Sequence, residues 1–363
     1  MANTRFYSLD GLRAVCALSV ALGHSEFLFR QGVVFCHGYL GVDMFFMLSG
    51  FVISGCYDAR FTGGLGAWDF LVARVRRLAP VYWGGLGLCV VAALLCLAYQ
   101  PGQSPFAIAV SGLMAAFLIP VPGPGTFAYP ANSVAWTLLW ELIVNFAYAG
   151  WLRRLTSRGM LAVIVILLLP AIAFAGVDDR AWSFGMTGLD FWAGGLRAVP
   201  EFLIGVLLNR AYRNGYFARL PAMTPVIPLT AWLAIAVLPQ GLPILFDAGV
   251  AILVCPLLIA LLVRSDVQAP RWFGVLGAMS YPLYASHLAW IGLAQKTPLF
   301  GLNRHPNPLL AVGVMAVAIL GSWVLYQTCD PARKAPRNRV PGADFGGFPQ
   351  LPPDPCEAQP KPL

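Results

Sequence analysis

Four residues of this chain could handle protons, and each sits inside an apolar run. They are His24, Asp43, Glu141 and His287. A histidine beside carboxylates is the usual means of taking a proton from a hydroxyl near neutral pH. In that reading His24 is the base, and Asp43 or Glu141 holds its imidazole in one tautomer. Three arginines, Arg13, Arg74 and Arg77, form a second group of another kind. Guanidinium groups bind phosphates through paired, charge-assisted hydrogen bonds, which suits a phosphate-bearing donor. Arg74 and Arg77 are three residues apart and share a helix face, whereas Arg76 points elsewhere. Each residue also has a plainer reading. Arg13 can snorkel, His24 and Glu141 can bond a neighbouring helix, Asp43 can cap one, His287 can pack, and the arginines can anchor the chain at a cytoplasmic surface. The histidines and carboxylates lack the spacing of a metal motif, so no metal site is expected.

The elements that must carry these groups are membrane helices. The chain has 363 residues, 58% of them hydrophobic and 11% charged, with a mean hydropathy of +0.70. That charge is too low for a soluble domain. Ionisable groups in hydrocarbon are costly, which is why those inside apolar runs read as functional. The net charge of +8 is concentrated in short connections, so it reports topology and not nucleic-acid binding. The eight cysteines show no C-x-x-C spacing and read as small buried hydrophobes.

Full spans are expected at residues 12–29, 40–56, 79–98, 134–150, 161–174, 199–208, 226–238, 250–263, 276–293 and 309–326. The run 106–118 is short and ends among prolines, and a re-entrant or interfacial segment there puts every basic connection on one side. The expectation is therefore an all-α polytopic membrane protein with about ten transmembrane helices, one short re-entrant or interfacial hydrophobic segment, and both termini cytoplasmic. Residues 1–327 form the membrane domain, and 328–363 a cytoplasmic, proline-rich, disordered tail. With this topology Arg13 lies at the inner level, and His24, Asp43, Glu141 and His287 share the outer half. Arg13 and His24 are eleven residues apart, about 16 Å along a helix and nearly on one face. Trp136, Tyr281 and Tyr284 could line an acceptor or acyl path, although scattered aromatics also suit packing.

These residues fall in motifs that resemble the integral-membrane acyltransferase-3 family, which includes bacterial O-antigen and exopolysaccharide O-acetyltransferases. The motifs are SLDGLRAVCALSVALGH from Ser8, GYLGVDMFFMLSGFVIS from Gly38, FLVARVRRLAPVYW from Phe70, NSVAWTLLWELIVNFAY from Asn132, VPEFLIGVLL from Val199 and LGAMSYPLYASH from Leu276. The resemblance implies transfer of an acyl group, usually acetyl from cytoplasmic acetyl-CoA, to a hydroxyl of an extracytoplasmic or lipid-linked glycan. Acetyl-CoA or another acyl-CoA is then the donor substrate, with no permanently bound cofactor. The partners are membrane lipids and a carbohydrate or glycolipid acceptor, and a homodimer stays open. It also implies the bacterial inner membrane. The family's arginine–histidine motif maps onto Arg13 and His24, its arginine motif onto Arg74 and Arg77, and its tryptophan–glutamate motif onto Trp136 and Glu141. Two departures stand out: Cys329-Asp330-Pro331 replaces the usual Glu-x-Pro, and Asn145 holds a position that is often aromatic. The chain resembles the stand-alone form without an SGNH domain. A transporter or lipid flippase is the alternative class, since intramembrane charges serve those proteins too, but no paired discontinuous repeats are evident.

Overall fold

The structure is a computed structural model that describes residues 5–25, 35–99, 102–121, 123, 126–177, 182–239, 242–298 and 308–330. The proline-rich tail expected beyond residue 330 lies outside these. Among the described residues the chain is helical with no β-strand, and one isolated bridge joins Phe127 to Thr187. The helices are α1 (Tyr7–His24), α2 (Gly41–Thr62), α3 (Ala67–Cys96), α4 (Pro105–Ala116), α5 (Ala135–Gly150), α6 (Ser157–Val177), α7 (Gly194–Arg213), α8 (Val226–Ala236), α9 (Ile244–Gly249), α10 (Cys255–Ser265), α11 (Phe273–Lys296) and α12 (Pro308–Cys329). A π turn, Val250–Val254, joins α9 to α10.

Each expected apolar run is helical, but the boundaries move for physical reasons. Helix α1 starts at Tyr7, five residues before the apolar run, because its polar first turn is satisfied by tertiary partners. Arg5 Nε donates to Asp10 at 2.7 Å, and Ser8 donates to Asp266 from both its backbone and its hydroxyl. Residues 26–29 of the expected first span lie outside the described set. Helix α3 starts at Ala67, so Arg74, Arg76 and Arg77 sit on a helix and not in a connecting loop. Apolarity marks only the part of a helix that lies in lipid, whereas leucine, alanine and arginine propagate helix beyond it. Arg76 is exposed, while Arg74 and Arg77 are half-buried.

Among the described residues six helical stretches are long and apolar enough to cross a membrane: Gly38–Thr62, Ala67–Tyr99, Ser157–Gly176, Phe191–Arg213, Leu245–Gln268 and Leu309–Cys329. Their outward faces are apolar, as lipid requires. Leu161, Val165, Ile166 and Leu169 on α6 are exposed, as are Val312, Leu320, Trp323 and Val324 on α12. Helix α1 is not among the six, and it carries Asp10, Arg13 and His24; α5 has only 16 residues. The protein is a multi-pass membrane protein whose chemistry-bearing helices are less apolar than its lipid-facing ones.

Side-chain pairs give the helix directions. Asp10 packs on Gly277 and His24 bonds His287, so α1 and α11 run parallel. Tyr281 donates to the Leu78 carbonyl at 3.0 Å, and Gly85 packs on Ala285, so α3 joins the same set. Helix α2 runs the other way, with Phe51 against Phe6 and Gly41 against Cys16. Helix α7 runs parallel to α2, pairing Asp43 with Arg197 and Asp58 with Arg213. Helix α5 does too, pairing Ser49 with Glu141 and Asp58 with Tyr148. A β-carbon on Gly50 would stand 1.9 Å from the Phe202 carbonyl oxygen, and one on Gly205 would stand 1.9 Å from that of Met47. Only glycine permits this backbone-to-backbone approach of α2 and α7.

Helix α4 runs against α3, with Tyr82 donating to the Ala115 carbonyl at 2.7 Å and Gly112 facing Val90. It therefore points the same way as α5, the next helix. The start of α5 is fixed by Asn132, which donates to the Ala285 carbonyl at 3.0 Å. Because Ala285 packs on Gly85, α5 begins close to the depth at which α4 ends beside Tyr82.

Candidate active site

Two helices that run side by side bring two histidines together. His24 is the last residue of α1, and His287 lies two-thirds along α11. His24 Nδ1 and His287 Nε2 are 3.0 Å apart. The ring planes differ by 24° with centroids 5.1 Å apart, so the two imidazoles meet edge to edge in nearly one plane. His287 is fully buried, and its Nδ1 lies 3.1 Å from the carbonyl oxygen of Leu283. His24 is exposed. The Tyr284 ring flanks His287 at 6.0 Å.

The arginines converge at the other end of α1. Arg13 lies within electrostatic reach of Asp10, Arg77, Arg74 and Glu141, yet among the described residues it has no hydrogen-bond partner. Arg74 Nη2 reaches Glu141 Oε1 at 3.4 Å, and its Nε is buried without a partner. Glu141 Oε1 also accepts from Ser49 and, at 3.0 Å, from Asn145. Asn145, at a position often aromatic in the family it resembles, is thus one of the residues that hold Glu141. A cationic cluster with one carboxylate and unused guanidinium donors can take up an anion.

This arrangement corrects the expected single layer of four proton-handling groups. Glu141 sits with the arginines and not with His24. Asp43 is fully buried in a different pairing, with Arg197 of α7. Arg197 Nη2 donates to both Asp43 oxygens, at 2.8 and 2.9 Å, and Nε donates at 3.1 Å. Trp182 Nε1 adds a donor at 3.2 Å. The partner that holds His24 is His287, a residue expected only along the acyl or acceptor path. Trp136 is 5% exposed and lies with its ring 5.7 Å from the Arg197 guanidinium, as packing against a buried cation. Tyr281 lies between the two ends, within electrostatic reach of Arg74 and Glu141. Tyr284 meets Thr137 Oγ1 at 2.9 Å. Because Thr137 already donates to the Val134 carbonyl, the tyrosine hydroxyl is the donor in that bond.

Four buried polar residues near this core went unassigned in the sequence. Arg197 and Glu201 are on one face of α7, at i and i+4, and Glu201 lies beside Asp43 and Trp182. His37 Nδ1 meets Asp247 Oδ1 at 2.8 Å, and Tyr39 donates to the other oxygen of Asp247. A sequence signal was available for Arg197, since it stands four residues, one helical turn, before Glu201 of the motif VPEFLIGVLL. The pairing of His37 with Asp247 joins a connecting segment to helix α9, 210 residues apart, and leaves no local spacing to read. Among the described residues no group of three or more His, Cys, Asp or Glu could hold a metal ion. Cys16, Cys89, Cys96, Cys255 and Cys329 are free thiols, in keeping with small apolar fillers, whereas Cys56 is disulfide-bonded.

Comparison with known proteins shows the family of the chain. No solved structure is significantly similar to the chain. Protein 2 in the picA locus of Rhizobium radiobacter is 36% identical over 189 residues, which cover 47% of this chain and 95% of that protein. The exopolysaccharide production protein ExoZ of Rhizobium meliloti (strain 1021) is 27% identical, covering 78% of this chain and 86% of its own. The acyltransferase MdmB of Streptomyces mycarofaciens is 25% identical, covering 89% and 90%. The sequence profile of the acyltransferase-3 family, described as an acyltransferase domain, matches residues 6–327 and so takes in α1 with its arginine and histidine through to α12. The chain belongs to the acyltransferase-3 family and is an acyltransferase of the non-aminoacyl class.

Proposed function

We propose that the protein is a membrane O-acyltransferase that moves an acyl group, acetyl in the first instance, from cytoplasmic acyl-CoA to a hydroxyl of an extracytoplasmic or lipid-linked glycan. The observation that carries this reading is the division of α1. Arg13 and its cationic neighbours lie at one end, and an exposed histidine bonded to a second histidine lies at the other. The donor's phosphates bind Arg13, Arg74 and Arg77, and its thioester extends along α1 and α11 past Tyr281 and Tyr284 to His24. Glu141 holds Arg74 and does not act on the acceptor.

At the outer end His24 takes the proton of the acceptor hydroxyl as its oxygen attacks the thioester carbonyl. The tetrahedral intermediate then collapses, the carbon–sulfur bond breaks, and the departing thiolate takes that proton from the imidazolium. No net proton is gained or lost. The exopolysaccharide role in the name of ExoZ supports a glycan acceptor. The parallel course of α4 and α5 supports counting α4 as an incomplete crossing. About ten crossings then leave every arginine-rich connection in the cytoplasm, as the positive-inside rule requires of a bacterial inner-membrane protein.

The test uses membrane vesicles from expressing cells, supplied with radiolabelled acetyl-CoA, with the vesicles' own glycans as acceptor. Label enters alkali-labile glycan esters with the wild-type protein and not with His24→Ala. Undiminished esterification by His24→Ala overturns the base assignment. Absence of any ester label with the wild-type protein overturns the reaction.

A further inference from the structure

We infer that His287 is a positioning residue that fixes the tautomer of His24, leaving the Nε2 lone pair of His24 as the one that takes the acceptor's proton. This rests on the reading of His24 as the base. It is derived from donors and acceptors alone. The Leu283 carbonyl oxygen can only accept, so His287 Nδ1, 3.1 Å away, carries a proton and donates. In a neutral imidazole the other ring nitrogen is then an acceptor. His287 Nε2 therefore accepts, and its neighbour at 3.0 Å, His24 Nδ1, must donate to it. With Nδ1 protonated, neutral His24 presents its lone pair at Nε2, the nitrogen for which no protein partner exists among the described residues. The order runs in one direction: carbonyl, buried imidazole, exposed imidazole, substrate.

Burial adds to the argument. His287 is fully enclosed, so water cannot compete for its ring nitrogens, while His24 is exposed. A buried ring without both partners would leave a polar atom unsatisfied, and both nitrogens of His287 are used. The backbone carbonyl that sets the chain is in α11 itself, one turn before His287. The tautomer is therefore written into a single rigid helix. Asp43 and Glu141 are held elsewhere: both Asp43 oxygens accept from Arg197, and Glu141 Oε1 accepts from Arg74, Ser49 and Asn145.

Two substitutions separate positioning from packing. His287→Gln retains an amide oxygen that can accept from His24 Nδ1–H, and His287→Leu retains the volume without an acceptor. In the vesicle assay with radiolabelled acetyl-CoA, His287→Leu is expected to lower kcat by roughly 10²–10⁴-fold, the usual worth of a positioned general base, with KM for acetyl-CoA unchanged. His287→Gln is expected to restore kcat to within about tenfold of wild type, on the same estimate of a base whose orientation is kept. Nitrogen NMR of histidine-labelled protein in lipid supplies a readout that a merely structural bond would not move. In the wild type the His24 Nδ1 resonance is that of a protonated nitrogen, and Nε2 that of an unprotonated one. An Nε2-protonated His24 in the wild type overturns the inference. So does a His287→Gln variant as impaired as His287→Leu, or full activity of His287→Leu alongside an inactive His24→Ala. That last pattern leaves the base itself standing, whereas an active His24→Ala removes the base and not only its orientation.

Discussion

Arg197→Met removes the only full positive charge bonded to Asp43 among the described residues while preserving much of the side chain's apolar bulk. The pair is enclosed, with Asp43 0% and Arg197 1% exposed. The substitution deletes the donors at 2.8, 2.9 and 3.1 Å to Asp43 and the 3.0 Å donor to the Phe184 carbonyl. Asp43 is left with Trp182 Nε1 at 3.2 Å, beside a second carboxyl, Glu201. Removing one partner of a buried ion pair costs about 3–5 kcal/mol, because the remaining charge is stranded away from water. At roughly 2–4 °C per kcal/mol, that is a drop of roughly 6–20 °C in Tm. Removing both charges avoids the stranded ion, so Asp43→Asn with Arg197→Met is expected to recover at least half of the loss. The assay is thermal unfolding of detergent-purified protein at a single scan rate, with acyl transfer measured in vesicles. The double variant should transfer acetyl at a rate within a few-fold of wild type, because Asp43 is not bonded to the histidines. A single variant within about 1 kcal/mol of wild type, below the range for a broken buried pair, would refute this reasoning, as would a double variant no more stable than the single one.

Two further outcomes follow from the geometry. Arg74→Gln and Arg77→Gln should each raise KM for acetyl-CoA by roughly 10- to 150-fold, the equivalent of about 1.5–3 kcal/mol per charged hydrogen bond, while exposed Arg76→Gln leaves it unchanged; equal effects at all three positions would refute the phosphate assignment. Gly50→Leu should abolish a monodisperse peak in size-exclusion chromatography, because its β-carbon would stand 1.9 Å from a backbone oxygen. Gly87→Leu, with nothing within 4 Å of its β-carbon, should elute as wild type, and the reverse order would contradict the α2–α7 crossing.

The helices were legible because hydrocarbon leaves a chain few alternatives, and the apolar runs mark them. The arginine face of α3 was legible too, from the three-residue spacing of Arg74 and Arg77. What spacing could not show was which charge meets which. Depth along a helix placed Glu141 near His24, but the direction its side chain faces, toward Ser49 and Arg74, depends on how α2, α3 and α5 rotate against each other. Asp43 drew attention as a lone acid in an apolar run. Its partner lies 154 residues away, on a helix whose rotation against α2 no local spacing records. His287 was visible as a histidine in a membrane helix, but its role depends on two distances of about the length of a hydrogen bond, which only the packing of α1 on α11 supplies.

Helix α1 contains no proline, unlike α3, α6, α7 and α11, which have Pro80, Pro170, Pro200 and Pro282 within them. An unbroken helix neither kinks nor stretches appreciably. The interval from Arg13 to His24 is therefore a gauge of constant length, about 16 Å at 1.5 Å per residue. On the proposed reaction, such a gauge selects donors by reach as well as by charge. A thioester on a shorter carrier, even with the same acyl group, would fall short of the histidine while its anionic end was held. Selectivity for the carrier would then reside in the backbone of one helix, beyond the control of any single side chain.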